Sequence, residues 1–135
     1  MLEVEVLGTQ LLPKPLPLGV AERLCALALA SAGVQDGHLA VEFVDAPRIA
    51  ELNAIHRHKD SPTDVLSFPL DGVDTSTPAD GVPRELGDVV ICPEYTTDVA
   101  EAIVHGALHL VGMDHETDDG EMLALQAEIL RWGTS

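Results

Sequence analysis

Three histidines within the eleven residues His105-Gly106-Ala107-Leu108-His109-Leu110-Val111-Gly112-Met113-Asp114-His115 constrain this chain more than any other feature. Positions four apart on an α-helix differ by about 40° in direction and about 6 Å in height, so His105 and His109 project from one face toward a common point. A helix continued beyond them would carry His115 about 240° round and about 9 Å onward, away from that point. Gly112 permits the left-handed backbone that ends a helix and reverses the chain, so His115 can return as a third ligand. Three neutral imidazoles with one open position describe a catalytic zinc-type site, whereas a structural zinc site has four protein ligands and is rich in cysteine. Neither Cys25 nor Cys92 lies near the histidines in sequence.

The rest of the chain supplies a frame for such a helix. Residues 1–135 suit one domain, and with 46% hydrophobic but 3% aromatic residues its core must be built from Leu, Val, Ile and Ala. Leu2, Val4 and Val6 alternate with Glu3, Glu5 and Leu7 as in a half-buried strand. A helix is predicted over residues 20–32, with Val20, Leu24, Leu27 and Ser31 at helical spacing and Gly33 as its stop. A strand at residues 38–44 follows, then a short helix entered at Asp45-Ala46-Pro47, with Ile49, Leu52 and Ile55 as its apolar face. Residues 65–68 and 88–92 read as strands, separated by a turn-rich loop at residues 71–85 that is expected to be mobile. Asp98 with Glu101 resembles a capping box for a helix bearing Val99, Ile103 and Leu110 and ending near Gly112. A last helix over residues 118–132 buries Met122, Leu125 and Ile129. The order β-α-β-α-β-β-α-α predicts an α+β fold, a mixed sheet of about four strands with helices packed against it and a metzincin-like metal helix.

Seven Lys and Arg against 23 Asp and Glu give a formal net charge of −16, which argues against a protein that coats nucleic acid with a broad basic face. Arg48, Arg57 and Lys59 do fall within twelve residues, beside His56 and His58, so a local electropositive pocket is open. The chain start lacks a signal-peptide pattern and no apolar run reaches a membrane span, so a soluble cytoplasmic protein is expected. Cys25 and Cys92, far apart and without a C-x-x-C pattern, are expected to be reduced structural thiols.

The spacing H-x-x-x-H-x-x-G-x-x-H matches the metzincin metalloproteases, but their general-base Glu follows the first His, where this chain has Gly106. Peptide hydrolysis thereby loses its base. The same segment, together with His56-Arg57-His58-Lys59-Asp60-Ser61-Pro62-Thr63-Asp64-Val65-Leu66-Ser67-Phe68-Pro69 and Gly87-Asp88-Val89-Val90-Ile91, resembles the YbeY family of bacterial rRNA maturation factors over roughly residues 40–130. The resemblance implies a metal-dependent endoribonuclease acting on single-stranded RNA, in maturation of the small-subunit rRNA 3′ end and in ribosome quality control. It implies metal ligands at His105, His109 and His115 and a functional arginine at Arg57. Zinc is the implied ion, and three imidazoles also suit nickel. Implied partners are ribosomal RNA and ribosome or small-subunit assembly proteins, with neither DNA nor a membrane. The chain departs from the family pattern in the stretch from Cys92 to His105, which is shorter.

Several neighbours have chemical reasons to contribute. A planar guanidinium at Arg57 can hold two phosphate oxygens and offset transition-state charge. Lys59 is open as a phosphate contact or a solvated lysine. Ser61-Pro62-Thr63-Asp64 reads as a turn shaped by local backbone bonds, and Asp88 or Asp114 could orient a ligand imidazole through its second nitrogen. Phe68 and Trp132 are expected in the core or an interface, and with Tyr95 they are too scattered to form a stacking platform. Two further readings stay open, a metzincin-type peptidase and a non-catalytic ribosome-assembly factor whose metal staples the fold.

Overall fold

A computed structural model describes residues 2–17, 19–58, 61–69, 85–112 and 120–133, and its elements follow the predicted order. These are β1 (Leu2–Leu7), α1 (Val20–Ala30), β2 (Gly37–Phe43), α2 (Ala46–Arg57), β3 (Val65–Pro69), β4 (Glu85–Ile91), α3 (Val99–Leu110) and α4 (Glu121–Gly133), with 3-10 turns at Thr9–Leu11 and Pro93–Tyr95. The expected mobile loop lies outside the described residues except for Glu85, which opens β4.

The sheet runs β1-β2-β4-β3, with β1, β2 and β4 parallel and β3 antiparallel to β4. Parallel neighbours need a crossover. α1 supplies the one between β1 and β2, and α2 with β3 lies between β2 and β4. Alternation then assigns the faces. Leu39, Val41 and Phe43 of β2 and Val89 and Ile91 of β4 join α1, α3 and α4 in the main core, while Leu66, Val90 and Cys92 meet Ile49 of α2 on the other face. Burying each such aliphatic side chain contributes ~1.5–3 kcal/mol, which is how a core nearly without aromatics holds together.

The part of the sheet that α2 does not cover is acidic. There His38 reaches across three strands, its Nδ1 3.0 Å from Glu85 and its Nε2 3.5 Å from Glu5. The hydrogen bond to Glu85 and the surrounding carboxylates raise the pKa of His38. Burial comes first in pushing up the carboxyl of Asp88 on this face, followed by the Glu85 charge. Burial, assisted by the charge of Glu22, pushes the Cys25 thiol up to about 12, and burial raises Cys92 as well. Both are free, buried thiols.

Several sequence expectations are corrected. Ile55 is 61% exposed and Asn53 is buried in its place, because Asn53 sits one helical turn from Ile49 whereas Ile55 lies on the far side of α2. In α1, Ala21, Cys25, Ala28 and Leu29 widen the buried face, Leu27 is half-buried and Ser31 is exposed. Trp132 is 69% exposed in this single chain rather than in its core. Of the cations near one another in sequence, Arg48 lies nine residues and about 14 Å along α2 from Arg57 and is paired with Glu51 at 2.9 Å. Lys59 lies outside the described residues.

Near the histidines, α3 approaches the sheet closely at Gly106. A Cβ there would overlap the Cγ1 of Val89 and press on Val65 and Ser67, and the Ser67 hydroxyl donates to the Gly106 carbonyl at 2.8 Å. Replacing a helix-interior glycine by alanine normally stabilises by ~0.5–1 kcal/mol. Here overpacking at ~1–3 kcal/mol opposes that gain. Gly106→Ala is therefore expected to lower the urea midpoint, with a net loss of about 1 kcal/mol; a raised midpoint would show that the helix does not touch the sheet at this point.

Candidate metal centre

Asp98 starts α3 as predicted, its Oδ1 accepting the Glu101 N–H at 3.1 Å. The helix ends at Leu110, and Gly112 follows with φ 92°, the left-handed backbone that the spacing requires. One face of α3 is buried against β3, β4 and α1. On the half-buried flank, His105 and His109 turn toward each other, ring centroids 4.6 Å apart and planes at 81°. Their Nε2 atoms are 3.1 Å apart.

The tautomer of His105 follows from its other nitrogen. Nδ1 lies 2.8 Å from Oε1 of Gln126 on α4, and a carbonyl oxygen accepts, so Nδ1 carries the proton and Nε2 presents a lone pair. Two imidazole nitrogens this close repel unless a proton or a cation lies between them. A tetrahedral ion with N–metal bonds of ~2.0–2.1 Å spaces two ligand nitrogens about 3.3 Å apart, close to the 3.1 Å observed. The pair thus fits a shared zinc-type ion. No group of three or more His, Cys, Asp or Glu able to hold a metal occurs among the described residues, and His115 lies outside them.

Other expected site residues are distributed as follows. Arg57 closes α2, and its side chain is outside the described part; His58 after it has φ 59° and donates its N–H to the Asn53 carbonyl. Asn53 Nδ2 donates to the Ser61 carbonyl at 2.9 Å, tying α2 to the segment that leads into β3. Asp64 Oδ1 accepts the Val65 N–H at 2.8 Å, a local backbone bond of the kind expected for this turn. Asp88 is not an orienting partner of His105, because it faces the His38 side of the sheet. Asp114 is outside the described residues. A cleft of about 170 Å³ opens beside His105, bounded by Asp64, Tyr95, Asp98, Glu101, Leu123 and Gln126 among others.

A sequence profile described as Endoribonuclease YbeY matches residues 18–132. The chain belongs to the YbeY family. Relatives named Endoribonuclease YbeY include one from Symbiobacterium thermophilum at 41% identity, spanning 82% of this chain and 80% of the relative. Another, from Azorhizobium caulinodans, is 36% identical over 96% of this chain and 91% of its own. The solution structure of TM1509 from Thermotoga maritima shares the fold, with TM-score 0.52 and 27% identity over 97% of this chain and 90% of that one. The A. caulinodans alignment runs over 148 positions, more than the 135 residues of this YbeY-family chain, so that relative carries residues absent here. In this chain, residues 96–98 suffice to join the 3-10 turn at Pro93–Tyr95 to α3.

Gln126 is the residue that sequence reasoning missed. Its signal was present: Met122, Gln126 and Ile129 share one face of α4, so an amide stands within an apolar stripe, and it is 7% exposed. Leu125, assigned to that face instead, is half-buried. Gln126→Leu would strand the His105 N–H at a cost of ~1–3 kcal/mol. The expected result is a lower urea midpoint and, in ¹⁵N NMR of the metal-free protein, a His105 ring that no longer holds its proton on Nδ1. An unchanged tautomer would contradict the assignment.

Proposed function

We propose that this chain is a metal-dependent endoribonuclease that cuts single-stranded ribosomal RNA, at the 3′ end of small-subunit rRNA and in ribosome quality control. One zinc ion, or nickel in its place, is held by His105, His109 and His115. The observation that carries this reading is the pair of Nε2 atoms facing each other at 3.1 Å, one with its lone pair fixed by Gln126, in a chain whose relatives are named endoribonucleases. Bound there, the ion would supply Lewis-acid stabilisation of phosphoryl charge and a water acidic enough to ionise near neutrality.

The chain's own residues do the rest. His105 and His109 would present ring nitrogens to that ion, and Gln126 orients the ring of the first of them. Arg57 holds two phosphate oxygens and offsets the charge that develops on them. Gly106, at the position of a metzincin's base, packs on Val89 and has no room for a carboxylate, which weighs against peptide hydrolysis. No helix among the described residues is long and apolar enough to cross a membrane. The proposed setting is the cytoplasm, with the ribosome or small-subunit assembly proteins as partners.

The net charge of −16 favours one competing reading, a non-catalytic assembly factor. Arg57→Ala separates the two. Removing one transition-state contact of this kind costs ~10²–10³ in rate. The variant is expected to lose about 100-fold in cleavage of a small-subunit rRNA precursor while retaining the zinc content and thermal midpoint of the wild type. Undiminished processing by the variant would support the assembly role.

A further inference from the structure

The cleft beside His105 has a composition unlike a phosphate site. It is bounded by the carboxylates of Asp64, Asp98 and Glu101, with no Lys or Arg among its described lining residues. An RNA phosphate there would meet three like charges. The cleft also presents two large side chains that the core does not use: Tyr95 is 54% exposed and Leu123 50% exposed. Its volume of about 170 Å³ corresponds to about six waters at ~30 Å³ each. That is room for one planar heterocycle and well below the ~300–1,000 Å³ of a pocket for a drug-sized molecule.

Tyr95 owes its place to the short connection between the strand β4 and α3. It ends the 3-10 turn after β4, and residues 96–98 lead straight into α3, so the ring is held at the rim facing the helix that carries His105. Thr96 fixes that turn, its hydroxyl donating to the Cys92 carbonyl at 2.8 Å.

We infer that this cleft is a nucleobase subsite: the base of a nucleotide flanking the cut stacks on Tyr95 and against Leu123, while its phosphates lie outside the acidic ring. The inference rests on the proposed endoribonuclease activity and adds a base-binding role for residues outside the histidine motif. Base–aromatic stacking is worth ~1–3 kcal/mol per base and tolerates any sequence. The carboxylates add a bias, because they accept hydrogen bonds from the exocyclic amino groups of adenine and cytosine, which uracil lacks. The subsite therefore favours amino-bearing bases.

Nucleosides test this directly, since they bind without being cut. Adenosine, cytidine and uridine are titrated into the metal-loaded full chain, and NMR shifts of Tyr95 and Leu123 are followed. Adenosine and cytidine are expected to move both residues and to bind more tightly than uridine. Tyr95→Ala should weaken adenosine about fivefold, the low end of the stacking range, and Tyr95→Phe should stay within about twofold of wild type. With a short RNA substrate, Tyr95→Ala should raise KM and spare kcat. RNA cleavage with KM unchanged in Tyr95→Ala and no nucleoside shifts at Tyr95 would overturn the subsite and leave the nuclease standing. Nucleoside binding at Tyr95 in a chain that cuts no RNA would support base binding and remove the nuclease reading. Uridine binding as tightly as adenosine and cytidine would overturn the role given to the carboxylates.

Discussion

Helix α3 meets strands β3 and β4 at Gly106, which brings no side chain of its own against Val89, Val65 and Ser67, and this contact sets the rotation of the helix that carries the histidines. With the 106 position pressed on Val89, Val65 and Ser67, the adjacent His105 and, one turn on, His109 must point to the flank between α3 and α4. The residue type that would make a protease at this position is thereby excluded by packing as well as by sequence. Gln126 completes the constraint from the α4 side by holding one ring in a single tautomer. The imidazole pair is thus preorganised by close packing on one side and a buried hydrogen bond on the other.

Electrostatics divide the molecule by role. A chain with seven cations and 23 acids cannot gain RNA affinity by releasing many counterions. Arg48 is taken up by Glu51, and the Arg23 Nε donates to the carbonyl of Gly133 at 2.8 Å, closing the C-terminal end of α4. Under the proposed activity, affinity for a polyanion would be supplied by a bound ion, by Arg57 and by neutral contacts to bases. The acidic cleft beside His105 suits such a division, because it repels backbone phosphates and leaves an exposed aromatic ring for a base.

Much of this was legible in the residues. Strand alternation in Leu2–Leu7, the Asp45 and Asp98 caps and the Gly112 stop all rest on local chemistry, and the structure reproduces them. The i, i+4 pairing of His105 with His109 was readable for the same reason. What failed depended on packing between distant segments. Asn53 displaced Ile55 because the covered face of α2 is chosen by β3 and β4, and Gln126 became a partner of His105 because α4 returns across α3. Asp88 has a plausible spacing for a ligand-orienting acid, yet strand alternation sends it to the opposite face of the sheet from α3.

The central claim is that a metal held by the α3 histidines cuts RNA. The most direct test measures zinc content and cleavage of a single-stranded ribosomal RNA fragment on the same samples of wild type and His109→Ala. About one zinc per wild-type chain, with both metal and cleavage lost in the variant while a thermal melt still shows folded protein, is the predicted result. Cleavage that persists at the wild-type rate in the zinc-free variant would contradict the account.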